Sequence, residues 1–325
     1  MLLRITILMT GLMMLLGVSC APSSSSSNDY PTRPLTFLVP WAAGGGTDLS
    51  SRMLATSLEK KLGQPVTIVN RTGGGGVVGH LALAQARPDG YTIGAITGEI
   101  TMMHWMGVTD LTSDNYTPLA LTMNNPASIT VRADAPWQNL DELLAAIKAN
   151  PGKHQASGTS RGGIWDLARI GFLRAADLPE TSMPWVPSQG AAPSLQELIA
   201  GGVDVVTAAL AEVAPLMKAG QVRVLAVMSE ERLAAFPDVP TLKEQGVDWS
   251  QGGWIGVGAP KDLPPAILAK LDSAIQLAII DPEYIEAMDG AGFHRQVLDA
   301  SAFPPFMQEM DVVNGEVMKA GGLAK

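Results

Sequence analysis

The sequence predicts an α/β fold built from two domains. From Tyr30 onward, strand-like and helix-like segments alternate, which is typical of α/β proteins with parallel sheets. The length of 325 residues allows two hydrophobic cores at roughly 150 residues per domain. A hydrophobic fraction of 46% with only 16% charged residues indicates a compact chain over most of this length.

Short apolar runs and helical spacing define the predicted elements, and glycine or proline marks nearly every junction. The predicted strands are Leu35–Val39, Val66–Val69, Tyr91–Ile96, Ser128–Val131, Met183–Val186, Val203–Ala208, Val222–Met228 and Ile255–Gly258. The predicted helices are Leu49–Leu62, Val77–Ala86, Asp141–Ala149, Ile164–Ala176, Ser194–Ala200, Val213–Ala219, Ala266–Ile279, Pro282–Ala291 and Ala302–Lys319.

The loop Trp41–Asp48, with the sequence WAAGGGTD, joins the first predicted strand to the first predicted helix. Thr47 and Asp48 are the predicted N-caps of that helix. A glycine loop at a helix N-terminus exposes unpaired N–H groups and the positive end of the helix dipole, which favour an anion. A tight connection that needs glycine for positive φ explains the same loop, so both interpretations stay open.

The segment Met183–Ile199 repeats this plan in the second half of the chain. A short strand leads into the small-residue loop VPSQGAAPS, and a helix begins near Pro193. Two such strand-loop-helix units can face each other across a cleft, which is characteristic of bilobed binding proteins.

Charge and histidine spacing limit the classes of partner. A formal net charge of −9 without a basic stripe argues against a nucleic-acid partner. An anionic small ligand stays compatible with this charge because helix dipoles act at short range. The four histidines are isolated, and Cys20 is the only cysteine, so we expect no metal site, no other cofactor and no intramolecular disulfide.

The N-terminus predicts export. Arg4 precedes the apolar run Ile5–Val18, which is short for a membrane span but right for a signal peptide over residues 1–19. The residues around Cys20 resemble a bacterial lipoprotein signal, although Gly17 stands where that motif usually has leucine. We expect a lipid-modified Cys20, a serine-rich tether over residues 20–29 and a periplasmic or cell-surface location. An ordinary secretory signal is the alternative.

Gly74–Gly79 satisfies the dinucleotide-binding pattern G-x-G-x-x-G after the strand Val66–Val69, and Glu99 follows at the expected distance. Four consecutive glycines meet this pattern easily by chance, and nicotinamide cofactors are scarce outside the cytoplasm. These two points argue against a dinucleotide site at this motif.

Gly158–Gly162 satisfies G-x-S-x-G, the nucleophile elbow of serine hydrolases, with His294 in the right order after Ser160. The preceding segment KHQAS is too polar for the central strand that supports such an elbow. The alternative is a ligand-binding loop in which Ser157, Thr159 and Ser160 supply hydroxyl groups.

Seven sequence blocks in one order cover nearly all of the chain after the signal region. They are Tyr30–Ala55, Leu62–Ile93, Ala149–Lys153, Val186–Val206, Ala219–Val227, Phe236–Gly246 and Trp254–Pro264. These blocks resemble the extracytoplasmic solute-binding receptors of tripartite tricarboxylate transporters, the Bug-type or TctC-type receptors. The resemblance implies a type II periplasmic-binding-protein fold, with two α/β lobes joined by two crossover strands and a ligand cleft between them. Residues 30–131 plus 254–325 would form lobe 1, and residues 132–253 would form lobe 2.

The resemblance also implies the binding site. In that family, backbone N–H groups and ordered waters from two loops, one per lobe, hold a ligand carboxylate. Those loops correspond to Trp41–Asp48 and Ser188–Ala192, with side contacts from Thr97-Gly98-Glu99 and Ser157–Gly163. The expected ligand-binding residues are Trp41, Ala43, Gly44, Gly45, Thr47, Asp48, Thr97, Gly98, Ser157, Thr159, Ser160, Arg161, Gly190, Ala191, Ala192 and Glu212.

Four features of the predicted site concern specificity. Trp41-Ala42-Ala43 replaces the usual Phe-Pro-Pro, and Asp166 stands where many relatives have histidine. Arg161 is either a cation for a second ligand carboxylate or a solvated loop residue. Glu212 either accepts a hydrogen bond from the ligand or caps the next helix.

The function that the resemblance implies is reversible capture of a small organic carboxylate by a monomeric receptor without catalytic activity. Hinge closure of the lobes would bury the ligand and present it to the permease subunits of a tripartite transporter. The alternatives are a secreted serine hydrolase that uses Ser160 and a ligand-sensing receptor for a signalling partner.

Overall fold

The structure is a computed structural model that describes residues 30–325. The predicted signal peptide, the tether and Cys20 lie outside this range. The strands in this range are β1 (Leu35–Val39), β2 (Val66–Asn70), β3 (Thr92–Thr97), β4 (Tyr116–Arg132), β5 (Ala156–Ser157), β6 (Trp185–Val186), β7 (Val205–Ala209), β8 (Val222–Val227) and β9 (Gly252–Pro260). The α-helices are α1 (Gly46–Leu62), α2 (Val77–Ala84), α3 (Leu140–Ala149), α4 (Ile164–Ala175), α5 (Ala191–Ala200), α6 (Leu210–Lys218), α7 (Pro265–Ile279), α8 (Pro282–Gly290) and α9 (Phe303–Ala320).

Two α/β lobes share one long strand, β4, which confirms the predicted fold class. In the first lobe the strand order is β2-β1-β3-β9-β4, with β1 parallel to β2 and β3 and with β9 antiparallel to both its neighbours. In the second lobe β4 pairs antiparallel with β7 and β8, and β5 lies parallel to β6 and β7.

Strand β4 carries the chain from one lobe to the other. Its residues pair with β9 as far as Pro126, and from Ala127 they pair with β7 and β8. The return passage lies beside it, since Met228 N donates to Ala127 O (2.7 Å) and Gln251 N donates to Met228 O (3.0 Å). The two crossings therefore lie side by side in one narrow connection between the lobes. The lobe boundaries at residues 131/132 and 253/254 stay a prediction.

The prediction of β4 as Ser128–Val131 was too short. Pro118 and Pro126 interrupt the apolar pattern of its first half, and the register with β9 shifts at Pro118. Proline in a run of residues argues against a regular central strand, so the sequence pattern hides this half. Strand β5 was missed because it is short and follows the polar residues of KHQAS.

Helices α1, α5 and α6 each begin three residues earlier than predicted, and α6 starts at Leu210 rather than Val213. Gly45 is the N-cap of α1, so Thr47 and Asp48 lie in its first turn and the prediction that they cap it was wrong. Gly190 is the N-cap of α5, which starts at Ala191 rather than near Ser194. Glycine caps carry no side-chain acceptor and are therefore harder to recognise than serine, threonine or aspartate.

Helix α9 packs against both lobes. Near its start, the Phe303 ring meets Trp254 edge to face at a centroid distance of 5.6 Å. Near its end, Met318 belongs to the core that contains Leu173 of α4, and Arg174 Nη1 donates to Ala320 O (2.6 Å).

Within residues 30–325, no helix is long and apolar enough to cross a membrane.

Candidate functional site

A cleft between the lobes gathers the N-termini of α1 and α5. Gly45, Gly46 and Thr47 line it from the first lobe, and Gly190 and Ala191 line it from the second. First-turn N–H groups have no partner within their own helix, so each helix directs donors and the positive end of its dipole at the cleft. The two helix starts can therefore hold one anionic group from opposite sides.

Glu212, in the first turn of α6, spans the cleft in this structure. Gly46 N donates to Glu212 Oε1 (2.6 Å), and Ala209 N donates to Glu212 Oε2 (3.3 Å). The side chain thus caps its own helix and also occupies a donor of α1. Burial, with a smaller contribution from the nearby Glu99 carboxyl, raises the pKa of Glu212 to about 7, although the two backbone hydrogen bonds lower it.

Glu99 is a second buried acid in the cleft, with 4% of its surface exposed. Thr97 Oγ1 donates to Glu99 Oε2 (2.5 Å), and Ile164 N reaches Glu99 Oε1 from the other lobe (3.4 Å). Burial raises the pKa of this carboxyl above its ordinary value. Across the cleft lining within residues 30–325 there is no lysine, arginine or histidine to balance Glu99 and Glu212.

A hydrogen-bonded network supports Glu99 from behind. Trp41 Nε1 donates to Thr97 Oγ1 (3.3 Å), and Thr97 N donates to His80 Nε2 (3.3 Å). The opposite ring nitrogen, His80 Nδ1, then donates to Gly76 O (2.9 Å). Burial lowers the pKa of His80 to about 4, so this imidazole is neutral near pH 7.

Three tryptophans line the cleft: Trp41, Trp165 and Trp254. Trp254 is 2% exposed, yet its Nε1 has no hydrogen-bond partner, and the same holds for Oγ1 of the buried Thr159. A Cβ placed on Gly98 would lie 3.5 Å from Trp254 Nε1, so this nitrogen sits beside the loop that carries Glu99. Buried polar atoms are rarely left unpaired, and both atoms are therefore available to a ligand.

Ten of the sixteen residues predicted to bind ligand lie in this cleft. They are Trp41, Gly45, Thr47, Thr97, Gly98, Thr159, Gly190, Ala191, Ala192 and Glu212. Their individual roles in binding stay predictions.

The other six predicted residues do not line the cleft: Ala43, Gly44, Asp48, Ser157, Ser160 and Arg161. Asp48 accepts hydrogen bonds from Arg52, Gly44 N and Asn70 and thereby holds the loop in shape. Burial raises the pKa of Asp48, but these hydrogen bonds lower it by more, so the net pKa lies below its ordinary value. Ser157 Oγ donates to Val186 O (2.7 Å). Ser160 and Arg161 line a neighbouring apolar cavity that contains several methionines.

Eleven residues of the cleft lining are absent from the sixteen expected ligand-binding residues: Ala42, Gly46, Glu99, Asn125, Ile164, Trp165, Pro193, Ala209, Gly253, Trp254 and Ile255. Ala42, Gly46 and Glu99 belong to loops that were predicted to contact the ligand. Glu99 was visible as the end of the third-strand loop. Packing explains the glycine at position 253, because a Cβ there would lie 2.6 Å from Trp165. No local pattern brings Trp165 and Trp254 together, because they meet through the fold.

Asp166 supports the loop that carries Thr159. Asp166 Oδ1 accepts from Arg169 Nε (2.9 Å) and Nη2 (2.6 Å), and Gly162 N donates to Asp166 Oδ2 (2.9 Å). Arg169 Nη1 also donates to the Met183 carbonyl (2.8 Å). The side chains of Asp166 and Arg169 are 1% and 5% exposed, so this ion pair is buried and fully bonded.

We expect Glu212 to make folding stability fall with pH. The folded state binds the Glu212 proton more tightly than the unfolded chain, whose carboxyl titrates near 4.5. The free energy of unfolding then drops by roughly 3 kcal/mol between about pH 4.5 and 7 and stays level above that. Glu212→Gln should remove this part of the fall, which urea titrations at several pH values can measure.

The control is Glu230→Gln. Hydrogen bonding to Lys243 lowers the pKa of this exposed acid, so its removal should not flatten the fall. Equal pH profiles for the unchanged protein and Glu212→Gln would contradict the burial of Glu212 between the lobes.

A family model described as the tripartite tricarboxylate transporter family receptor, TctC, matches residues 50–323. The chain belongs to this receptor family. Among curated relatives, a UPF0065 protein of Bordetella pertussis is 34% identical over 93% of this chain and 94% of its own length. The family assignment confirms the resemblance that the sequence blocks predicted.

Two solved structures have the same fold as this chain. The periplasmic binding protein BugD superposes with a TM-score of 0.85 at 29% identity, covering 91% of this chain and all of BugD. The R. palustris protein Rpa4515, solved with adipate, superposes with a TM-score of 0.85 at 26% identity, covering 91% of this chain and 99% of Rpa4515.

Proposed function

We propose that this protein is an extracytoplasmic receptor that captures a small organic carboxylate between its two lobes. The observation that carries the proposal is the meeting of two helix N-termini, those of α1 and α5, one from each lobe, at the same cleft. Their first-turn N–H groups, of which Gly46 N donates to Glu212 in this structure, and their aligned dipoles suit a carboxylate without a cationic side chain. The adipate that accompanies the related Rpa4515 supports the same ligand class.

Closure of the cleft would follow from the narrow connection between the lobes. The paired crossings at Ala127 and Gln251 would let the lobes rotate, and contacts such as Gly46 with Glu212 hold them together. Ligand binding replaces the internal Glu212 carboxylate on Gly46 N with the carboxylate of the ligand. The closed lobes then present one joint surface to the permease subunits of a tripartite transporter.

Cellular placement forms part of the same proposal. Export by the predicted signal peptide and lipid modification of Cys20 would tether a monomeric receptor at the membrane surface. The reasons are the apolar run before Cys20 and the serine tract after it.

A serine hydrolase has less support. Ser160 lies in the neighbouring cavity, and within residues 30–325 its hydroxyl contacts no histidine by hydrogen bonding. The receptor family to which the chain belongs binds solutes.

A thermal-shift screen across mono-, di- and tricarboxylates tests the proposal. A ligand at a hundred times its Kd stabilises the native state by about 2.7 kcal/mol, which raises the melting temperature by several degrees. We expect at least one carboxylate to do so and Ser160→Ala to give the same shift, with no ester hydrolysis by either protein. A panel without any shift would overturn the receptor proposal, and turnover lost in Ser160→Ala would replace it with a hydrolase.

A further inference from the structure

The cleft holds two acids that no cationic side chain balances among the described residues. They are Glu99 and Glu212, and both line the cleft. Glu99 receives one hydroxyl and one long backbone hydrogen bond, and Glu212 receives two backbone hydrogen bonds. Burying a charge is costly unless it is paired, so burial favours the neutral form of both acids, and a positive group bound beside them would stabilise their ionised form.

The aromatic lining points in the same direction. Trp41, Trp165 and Trp254 are each at most 7% exposed and all border the cleft that holds the two acids. Tryptophan is the side chain that attracts cationic nitrogen most strongly, and sites for quaternary ammonium groups are built from such residues. The second carboxylate of a dicarboxylate would instead meet two acids and no cation, so those acids would have to stay protonated beside it.

Unpaired donors complete the site. Trp254 and Thr159 line the same cleft, and the buried Trp254 Nε1 and Thr159 Oγ1 have no hydrogen-bond partner among the described residues. They can bond to ligand oxygen, while the acids take the positive group. The cleft thus offers donors for oxygen at the helix starts and at Trp254, and acceptors for a cation at Glu99 and Glu212.

Resting on the proposed function, we propose that the ligand is a small zwitterion, with its carboxylate at the N-termini of α1 and α5 and its cationic nitrogen against Glu99, Glu212 and the tryptophans. The chemical class is an amino acid or a betaine. A primary ammonium group would donate hydrogen bonds to the two carboxylates. A quaternary ammonium group would rely on charge and on contact with the tryptophans.

Isosteric pairs of ligands isolate the charge of the nitrogen. Glycine betaine and 3,3-dimethylbutyrate share one shape, and γ-aminobutyrate and valerate share another, while succinate represents the dicarboxylates. By isothermal titration calorimetry, we expect at least one zwitterion to bind about tenfold or more tightly than its carbon isostere and than succinate. The pair that shows the difference identifies the nitrogen as primary or quaternary.

Two variants test the acids. Glu99→Gln and Glu212→Gln keep the shape of each side chain, and each should reduce the preference for the zwitterion at least several-fold while the isostere binds as before or better. The exposed Glu230→Gln is the matched control and should leave the preference intact. Circular dichroism and thermal melting of each variant exclude loss of folding as the cause.

The outcomes separate this proposal from the broader one. Carbon isosteres or succinate binding as tightly as the zwitterions would overturn the zwitterion and leave the carboxylate receptor standing. The zwitterion is likewise overturned if the wider carboxylate screen yields ligands while both zwitterions fail to bind. Absence of binding by every carboxylate would overturn both proposals.

Discussion

Gly45→Leu should abolish tight carboxylate binding without unfolding the protein. Gly45 is the N-cap of α1, with φ −81° and ψ 170°, a conformation that leucine adopts without strain. A Cβ there would lie 3.6 Å from Glu212 Oε1, so the added side chain projects into the cleft in front of the helix start. Hydrogen bonds to charged groups contribute about 1.5–3 kcal/mol each, and loss of two of them weakens affinity about a hundredfold or more.

Calorimetry with the carboxylate that gives the largest thermal shift measures this effect. Gly290→Leu is the matched control, because Gly290 lies exposed at the end of α8 and a Cβ there would meet no atom within 4 Å. Both variants should unfold near the denaturant midpoint of the unchanged protein. Unchanged affinity in Gly45→Leu would show that the start of α1 does not hold the ligand.

Asp166→Ala should cause the largest loss of stability. Removal of this carboxylate leaves the buried Arg169 guanidinium without its counter-ion and leaves Gly162 N without its acceptor. Breaking a buried ion pair from one side costs roughly 3–5 kcal/mol. Because Gly162 belongs to the loop that carries Thr159, weaker ligand binding should accompany the loss of unfolding free energy.

The comparison is Glu283→Gln, which removes the charge from an exposed ion pair with Lys60. Surface pairs contribute little, so its denaturant midpoint should hardly move. Chemical denaturation of both variants gives the contrast. Equal losses in Asp166→Ala and Glu283→Gln would mean that water reaches Arg169 and that the pair is not buried.

Much of the fold could be predicted because its long elements carry clear periodicity. Strand β1 has its predicted bounds, and α7 differs from its prediction by one residue. A local sequence pattern fails to predict a strand where pairing with a neighbouring strand stabilises it. The first half of β4 is held by β9 on one side despite Pro118 and Pro126, and no sequence period records that pairing.

The candidate site, like the fold, could be predicted only in part from the sequence. The two glycine loops could be located because strand-loop-helix order and small residues at Gly45 and Gly190 leave a trace in the sequence. The position of Ser160 and Arg161 in the neighbouring cavity could not be predicted from the sequence. It depends on the hydrogen bond from Gly162 N to Asp166 Oδ2, which turns the loop. The grouping of tryptophans is likewise a product of the lobes meeting.

Helix α9 gives the receptor a mechanical constraint that the crossover strands alone would not impose. With 18 residues at about 1.5 Å each, it is a stiff rod of about 27 Å, fastened near one end by Phe303 and near the other by Met318. We expect a helix that is attached to both lobes to permit rotation about the helix axis more easily than a wide opening of the cleft. We therefore expect the packing of α9, which contributes no residue to the cleft lining, to limit how far the cleft opens.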